Sequence, residues 1–235
     1  MEARVGLSHE IGSLSGVFGI HGLFDELSIG GEESIFAGDT NSSNDITFDK
    51  INNEEAQKLA IFLIEEFELS ENTLLNAGIR WEGFDRELEV FKHDDNQSGS
   101  NDLDDTSVSA SAGFSHELSE GWNFSSNISY SERIPDTAEL YSYGPHHATE
   151  AFEIGNPSLD KETAIGIEVI LRRTMGDFTG QLSAFHTKFD DYVYLEATGG
   201  EQLVEGEHMM EMQYEAVEAE FQGLEAEIDL SLIHI

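Results

Sequence analysis

Residues 107–130 read SVSASAGFSHELSEGWNFSSNISY, and their side chains alternate almost without error. Val108, Ala110, Ala112, Phe114 and Leu118 fall opposite Ser107, Ser109, Ser111, Gly113 and Ser115. After the turn-like SEGW, Trp122, Phe124, Ile128 and Tyr130 fall opposite Asn123, Ser125, Asn127 and Ser129. Period two marks strands with one apolar and one polar face, and a short polar break between two such runs marks a hairpin. The polar side is made of small residues, as expected of a wall lining water.

Working outward, TLLNAGIRWEGF (Thr73–Phe84) sets Leu75, Ala77, Ile79 and Trp81 against Asn76, Gly78, Arg80 and Glu82. AIGIEVILRR, DFTGQLSAFHTKF and EAEIDLSL continue the theme, and the opening MEARVGLSHE is already strand-like. Breaks alternate in length. SENT (70–73), SEGW (119–122) and MGD (175–177) are tight, whereas Ile29–Asn53, Lys92–Asp105, Pro135–Lys161 and Ala197–Glu207 are long. That rhythm, with runs of about ten residues, predicts a transmembrane barrel with brief turns at one end and extended loops at the other. Trp81/Phe84, Trp122/Phe124 and Tyr192/Tyr194 sit where an interfacial girdle is expected. A soluble acidic β-sandwich acting as a binding module is the rival. It calls for large aliphatic inner faces and even turn spacing.

Composition narrows the partners. The 235 residues hold 48 acidic and 11 basic side chains, a net charge of -37. Such a balance repels nucleic acid and suits a surface that gathers cations or stays soluble in salt. No cysteine is present, which excludes disulfides and thiolate metal sites. The longest apolar run, LAIFLI (Leu59–Ile64), is too short for a membrane-spanning helix. Neither a nucleophile elbow, a His-Glu-x-x-His pair nor a phosphate-cradling loop occurs, so no enzyme activity is expected.

Ser131–Val169 reads SERIPDTAELYSYGPHHATEAFEIGNPSLDKETAIGIEV. It resembles the barrel of TonB-dependent outer-membrane receptors: Ser131, Glu132, Arg133, Pro135, Glu139, Leu140 and Tyr141, then Gly155, Asn156, Pro157, Leu159 and Glu162. Within the loop, Gly144, Pro145, His146, Ala148, Thr149, Phe152, Glu153, Ile154 and Gly155 resemble the zinc-uptake subgroup. SAFHTKFDDYVYL (Ser183–Leu195) and EAVEAEFQGLEAEIDL (Glu215–Leu230) resemble two further strands of the family. The resemblance implies a partial receptor barrel over 1–235, about eight to ten antiparallel strands of a larger all-β structure. The family's plug domain, its TonB-contacting segment and a signal peptide are absent from this sequence. The SLIHI ending departs from the family's aromatic finish.

Candidate ligands for a divalent metal are His146, His147, Glu150, Glu153 and His208. Zinc takes imidazole nitrogen and carboxylate oxygen in sets of three or four. Adjacent His146 and His147 would point apart in an extended loop, and the resemblance favours His146. The bland reading makes Pro145 a turn residue and both histidines solvated. His208 stands beside Glu205, Glu207 and Glu211, with Met210 and Met212 read as the start of the next strand. His9, His21, His93, His116 and His186 are read as unrelated. Arg133, Glu139 and Glu162 are read as a structural cluster at strand ends.

Together these readings lead to an outer-membrane receptor that takes up zinc or a metal complex on TonB energy. Its partners are then the TonB complex, reached through the missing plug, the metal or chelate, and outer-membrane lipid. No resident cofactor is expected, with Zn2+ as transported ligand. A ferric-siderophore or other organic-ligand receptor is the alternative, disfavoured by the acidic loops.

Overall fold

The computed structural model describes residues 1–27, 51–92, 97–146, 148–204 and 206–230. His147, His93 and the SLIHI tail lie outside those residues. Long strands run in sequence: β1 (Glu2–Ile11), β2 (Leu14–Leu27), β3 (Ile51–Ser70), β4 (Thr73–Lys92), β5 (Gln97–Ser119) and β6 (Trp122–Arg133). A short helix α1 (Thr137–Tyr141) and two four-residue strands, β7 (Tyr143–His146) and β8 (Ala151–Ile154), follow. Then come β9 (Glu162–Arg173), β10 (Phe178–Val204) and β11 (Glu207–Leu230). One sheet joins them in the order β1-β2-β3-β4-β5-β6-β9-β10-β11-β8-β7. Neighbours are antiparallel except β8, which runs parallel to β11.

The register places each alternating pattern on a continuous face. Gly78 pairs with Ser111, Ser111 with Ser129, Ser129 with Gly166 and Gly166 with Thr187, so these small residues form one row of the inner wall. The opposite row carries Ile79, Ile128, Ile167 and Leu182, each 52–53% exposed. Val5, Leu7, Ile20, Leu59, Leu224 and Ile228 extend that greasy outer surface across the sheet. Buried hydrophobic residues are few, and Phe152 with Val204 forms a small cluster high above the wall. A sandwich needs those aliphatic faces packed inside, whereas here they point outward as a lipid-facing band. The chain is an arc of an antiparallel transmembrane β-barrel.

The tight turns fall where expected. Gly121, with φ of 76°, supplies the left-handed residue of SEGW. Neighbouring hairpins are tied at this end by Thr174 N donating to Gly121 O (2.9 Å) and Glu117 N donating to Asn72 O (2.9 Å).

Four expectations need correction. First, strand length is uneven: β1, β6 and β9 have the expected 10 to 12 residues, whereas β3 has 20 and β10 has 27. At about 3.3 Å per residue, β3 is roughly twice the hydrocarbon thickness, so the upper strands stand clear of the bilayer. Second, Ala197–Val204 and Gln97–Asp105, expected in loops, are strand, because the β10–β11 and β4–β5 hairpins continue upward. Third, Trp81 and Phe84 are on opposite faces. Trp81 points outward in mid-strand, and Phe84 turns inward, where its ring carries Lys58 Nζ at 4.2 Å. Nor is the inner wall uniformly small: the Phe185 ring lies across Gly223 of its partner strand, where a Cβ would meet it at 2.7 Å.

Candidate functional site

The long connection between β6 and β9 folds back over the inner face. Pro135 ends β6, and Asp136 N donates to Glu139 Oε2 (2.7 Å), closing the first turn of α1. Buried Arg86 on β4 donates to Thr137 Oγ1 (2.8 Å) and so ties α1 to the wall. Arg133 donates to Glu139 Oε2 (2.7 Å) and to both oxygens of Glu162 (3.2 and 3.3 Å). Glu162 also accepts Val193 N (3.1 Å). This cluster is structural, as its strand-end placement suggested: one guanidinium fork joins β6, α1, β9 and β10.

Glycine closes the same connection at its other end. Gly155 N donates to Ser142 O (2.6 Å) and Asn156 N to Glu139 O (2.8 Å). A Cβ on Gly155 would stand 2.5–2.7 Å from the Leu140 and Tyr141 backbone. Between these anchors β7 and β8 form a hairpin, and β8 adds to the edge of β11, pairing Ala151–Ile154 with Met210–Gln213. Phe152 and Val204 are buried there, packed with Tyr143, Ile154 and Met209.

The hairpin brings two of the expected ligands together. His146 Nδ1 lies 3.0 Å from Glu153 Oε1. Thr149 Oγ1 is 2.7 Å from the same oxygen, and Tyr214, on β11 above the membrane-spanning part, donates to Glu153 Oε2 at 3.0 Å. Glu153 is only 5% exposed, so these contacts compensate a buried carboxylate. Burial first, and then the bond to Glu153, pushes the Tyr214 hydroxyl well above its usual range, so it remains a donor. His146 keeps its side chain 56% exposed, and its Nε2 has no partner among the described residues.

The other candidates stand apart. Glu150 occupies the exposed turn with φ of 52°. His208 faces Glu201 across the β10–β11 hairpin at 3.3 Å, both highly exposed. Among the described residues no three His, Asp or Glu side chains are grouped to hold a metal ion. What exists is a two-residue start, one imidazole and one anchored carboxylate, with open coordination toward solvent. Glu211 strengthens the nearby hairpin: hydrogen bonds from Gln202 (2.6 Å) and Thr198 (2.8 Å) hold its carboxyl below the usual value.

Sequence reading missed Tyr214 and Thr149 as partners of Glu153. Thr149 lay inside the quoted motif, but Tyr214 is 61 residues away and its approach depends on the parallel β8–β11 pairing. Three of the histidines read as unrelated make separate contacts, His9 with Glu65 (3.1 Å), His21 with Glu2 (2.8 Å) and His116 with Thr73 (2.8 Å).

Comparison with known proteins gives a single family. The description "TonB dependent receptor-like, beta-barrel" matches residues 3–233. Among solved structures, the copper transporter OprC superposes with a TM-score of 0.72 at 15% identity, covering 99% of this chain and 34% of that one. The Serratia marcescens hemophore receptor HasR, solved with its hemophore and heme, gives 0.67 at 14% identity over 97% and 38%. The siderophore receptor PirA from Pseudomonas aeruginosa gives 0.59 at 18% identity over 96% and 38%. The chain thus spans between a third and two fifths of the length of these structures, which share its fold.

Proposed function

The chain belongs to the TonB-dependent receptor-like β-barrel family, and we propose from that premise that it is wall and mouth of an outer-membrane receptor importing a metal ion, zinc by ligand chemistry. The family is one of transport receptors rather than enzymes. The observation that carries the metal reading is the His146–Glu153 pair at 3.0 Å, on a hairpin folded over the inner face. Imidazole plus carboxylate is a zinc donor set. Two protein ligands leave the remaining positions to water or to a third side chain. Cargo held so incompletely can be passed inward, as transport requires. In the whole receptor, energy from TonB then drives release.

The strong negative charge serves this reading. Acidic residues along the upper hairpin, among them Glu196, Glu201, Glu207 and Glu211, raise the local concentration of cations and reject anionic chelates. Met209 packs with Phe152, Val204 and their neighbours, which gives that methionine a packing role.

One observation favours the second reading, an organic metal complex as cargo. Phe189, Tyr192 and Phe221 meet edge-on or tilted at 5.2–5.4 Å between β10 and β11, an aromatic patch in an otherwise serine-rich wall.

The test is titration of the full-length receptor in detergent with ZnCl2. His146→Ala and Glu153→Gln each weaken zinc binding about 10- to 100-fold if the pair is the entry site. Wild-type affinity in both variants removes the assignment, and binding of a ferric chelate with no response to zinc selects the second reading.

A further inference from the structure

At the tight-turn end of the sheet, Arg173 closes β9 on the outward face. By register it follows Ile165, Ile167, Val169 and Leu171 down that face and pairs with Trp122 and Gly180. Its guanidinium carbon lies 5.3 Å from the Trp122 ring centre and 3.8 Å from that of Phe178. Nε donates to Met175 O at 2.9 Å. In a chain with 48 carboxylates, Arg173 has no carboxylate partner among the described residues. Arg80, Arg133, Lys161 and Lys188 have one, whereas Arg4 and Lys58 each lie over a single ring and Arg172 bonds to Gln181.

We infer that Arg173 binds the phosphodiester of a bilayer phospholipid in the leaflet at the tight-turn end. Its place is where the apolar band gives way to headgroups, with Leu171 and Leu182 above it to meet acyl chains and Ile228 level with it. Two rings flank the guanidinium, the bond from Nε fixes its turn and Nη2 lies against Gly176, so the donor fork is held ordered at the tight turn. A planar donor fork of this kind matches a phosphate oxygen pair. Glu120 and Asp177 sit in the adjoining turns without an ion pair to Arg173. Their repulsion works against a free dianion, whereas a monoanionic phosphodiester tethered by its tails is held despite it.

The full-length receptor, delipidated in detergent, is mixed with dioleoyl phosphatidylethanolamine, and bound lipid is counted by native mass spectrometry. Arg173→Gln lowers occupancy about tenfold, as loss of one charge-assisted contact pair would. Wild type retains the phospholipid over dioleoylglycerol, which lacks the phosphate, and millimolar inorganic phosphate does not displace it. Equal retention of dioleoylglycerol by the wild type overturns the site whether or not the variant folds. So does displacement by inorganic phosphate, or full occupancy in a variant that still migrates as a folded barrel.

Discussion

Gly155 shows how a residue can be conspicuous in sequence while its reason is not. The Gly-Asn-Pro signature marks the return to β9, but only the tertiary fold brings the α1 backbone against its Cα. Gly155→Ala forces a methyl group within 2.5–2.7 Å of backbone that cannot swing aside. The expected local cost is about 1–3 kcal/mol, the usual range for overpacking. Hydrogen exchange over residues 137–156 of the full-length receptor should rise while the barrel strands keep their protection, and unchanged exchange would refute the packing account. Asp191 is a second case. It adopts φ of 57° at the bulge between Phe189 and Tyr192, a left-handed position that aspartate tolerates better than most residues. The paired aspartates of FDDY were legible as a family mark; the bulge that needs one of them was not. Of the metal candidates, His146 and Glu153 meet, since four residues of hairpin suffice, whereas Glu150 and His208 are turned away by their own turn and strand.

At the scale of elements, alternation predicted each face correctly because the two sides of a strand see different solvents. Ile167 and Ser129 lie on opposite faces of adjoining strands, within one residue of register. Ile167→Arg puts a charge in the hydrocarbon and costs about 2–4 kcal/mol near the midplane. Ser129→Lys adds its charge to the wet inner wall and costs under about 1 kcal/mol. Urea unfolding of the full-length receptor in lipid vesicles compares them; equal losses would mean that the apolar row does not face lipid. Strand ends were less legible. Above the membrane both faces are wet, so alternation fades, and Ala197–Glu207 looked like a loop. The hairpin persists there through Glu211 with its Gln202 and Thr198 bonds, and through the Val204, Phe152 and Met209 contacts. The parallel addition of β8 to β11 was invisible for a simpler reason: it joins segments about 60 residues apart, and no local pattern encodes such a choice.

For the molecule as a whole, the decisive feature is a sheet that exposes its apolar side. Among the described residues the outer edge of β1 and the lower edge of β11, Glu215–Leu230, have no strand beside them. Unpaired edges are not tolerated in hydrocarbon, where no water can satisfy the backbone. The 235-residue chain expressed alone should therefore fail to give a heat-modifiable, protease-resistant band in detergent, whereas the full-length receptor gives one. A stable, monomeric, detergent-free product would overturn the barrel. By itself the sequence determined what local solvent contrast can write: antiparallel strands, the side each residue faces, the tight turns and, through its motifs, a receptor barrel with a long loop after β6. Tertiary structure alone decided where that loop lies, that Tyr214 braces Glu153, and that His208 stays apart. Those outcomes depend on which distant strands share an edge, and pairing energy is settled only when the segments meet in space.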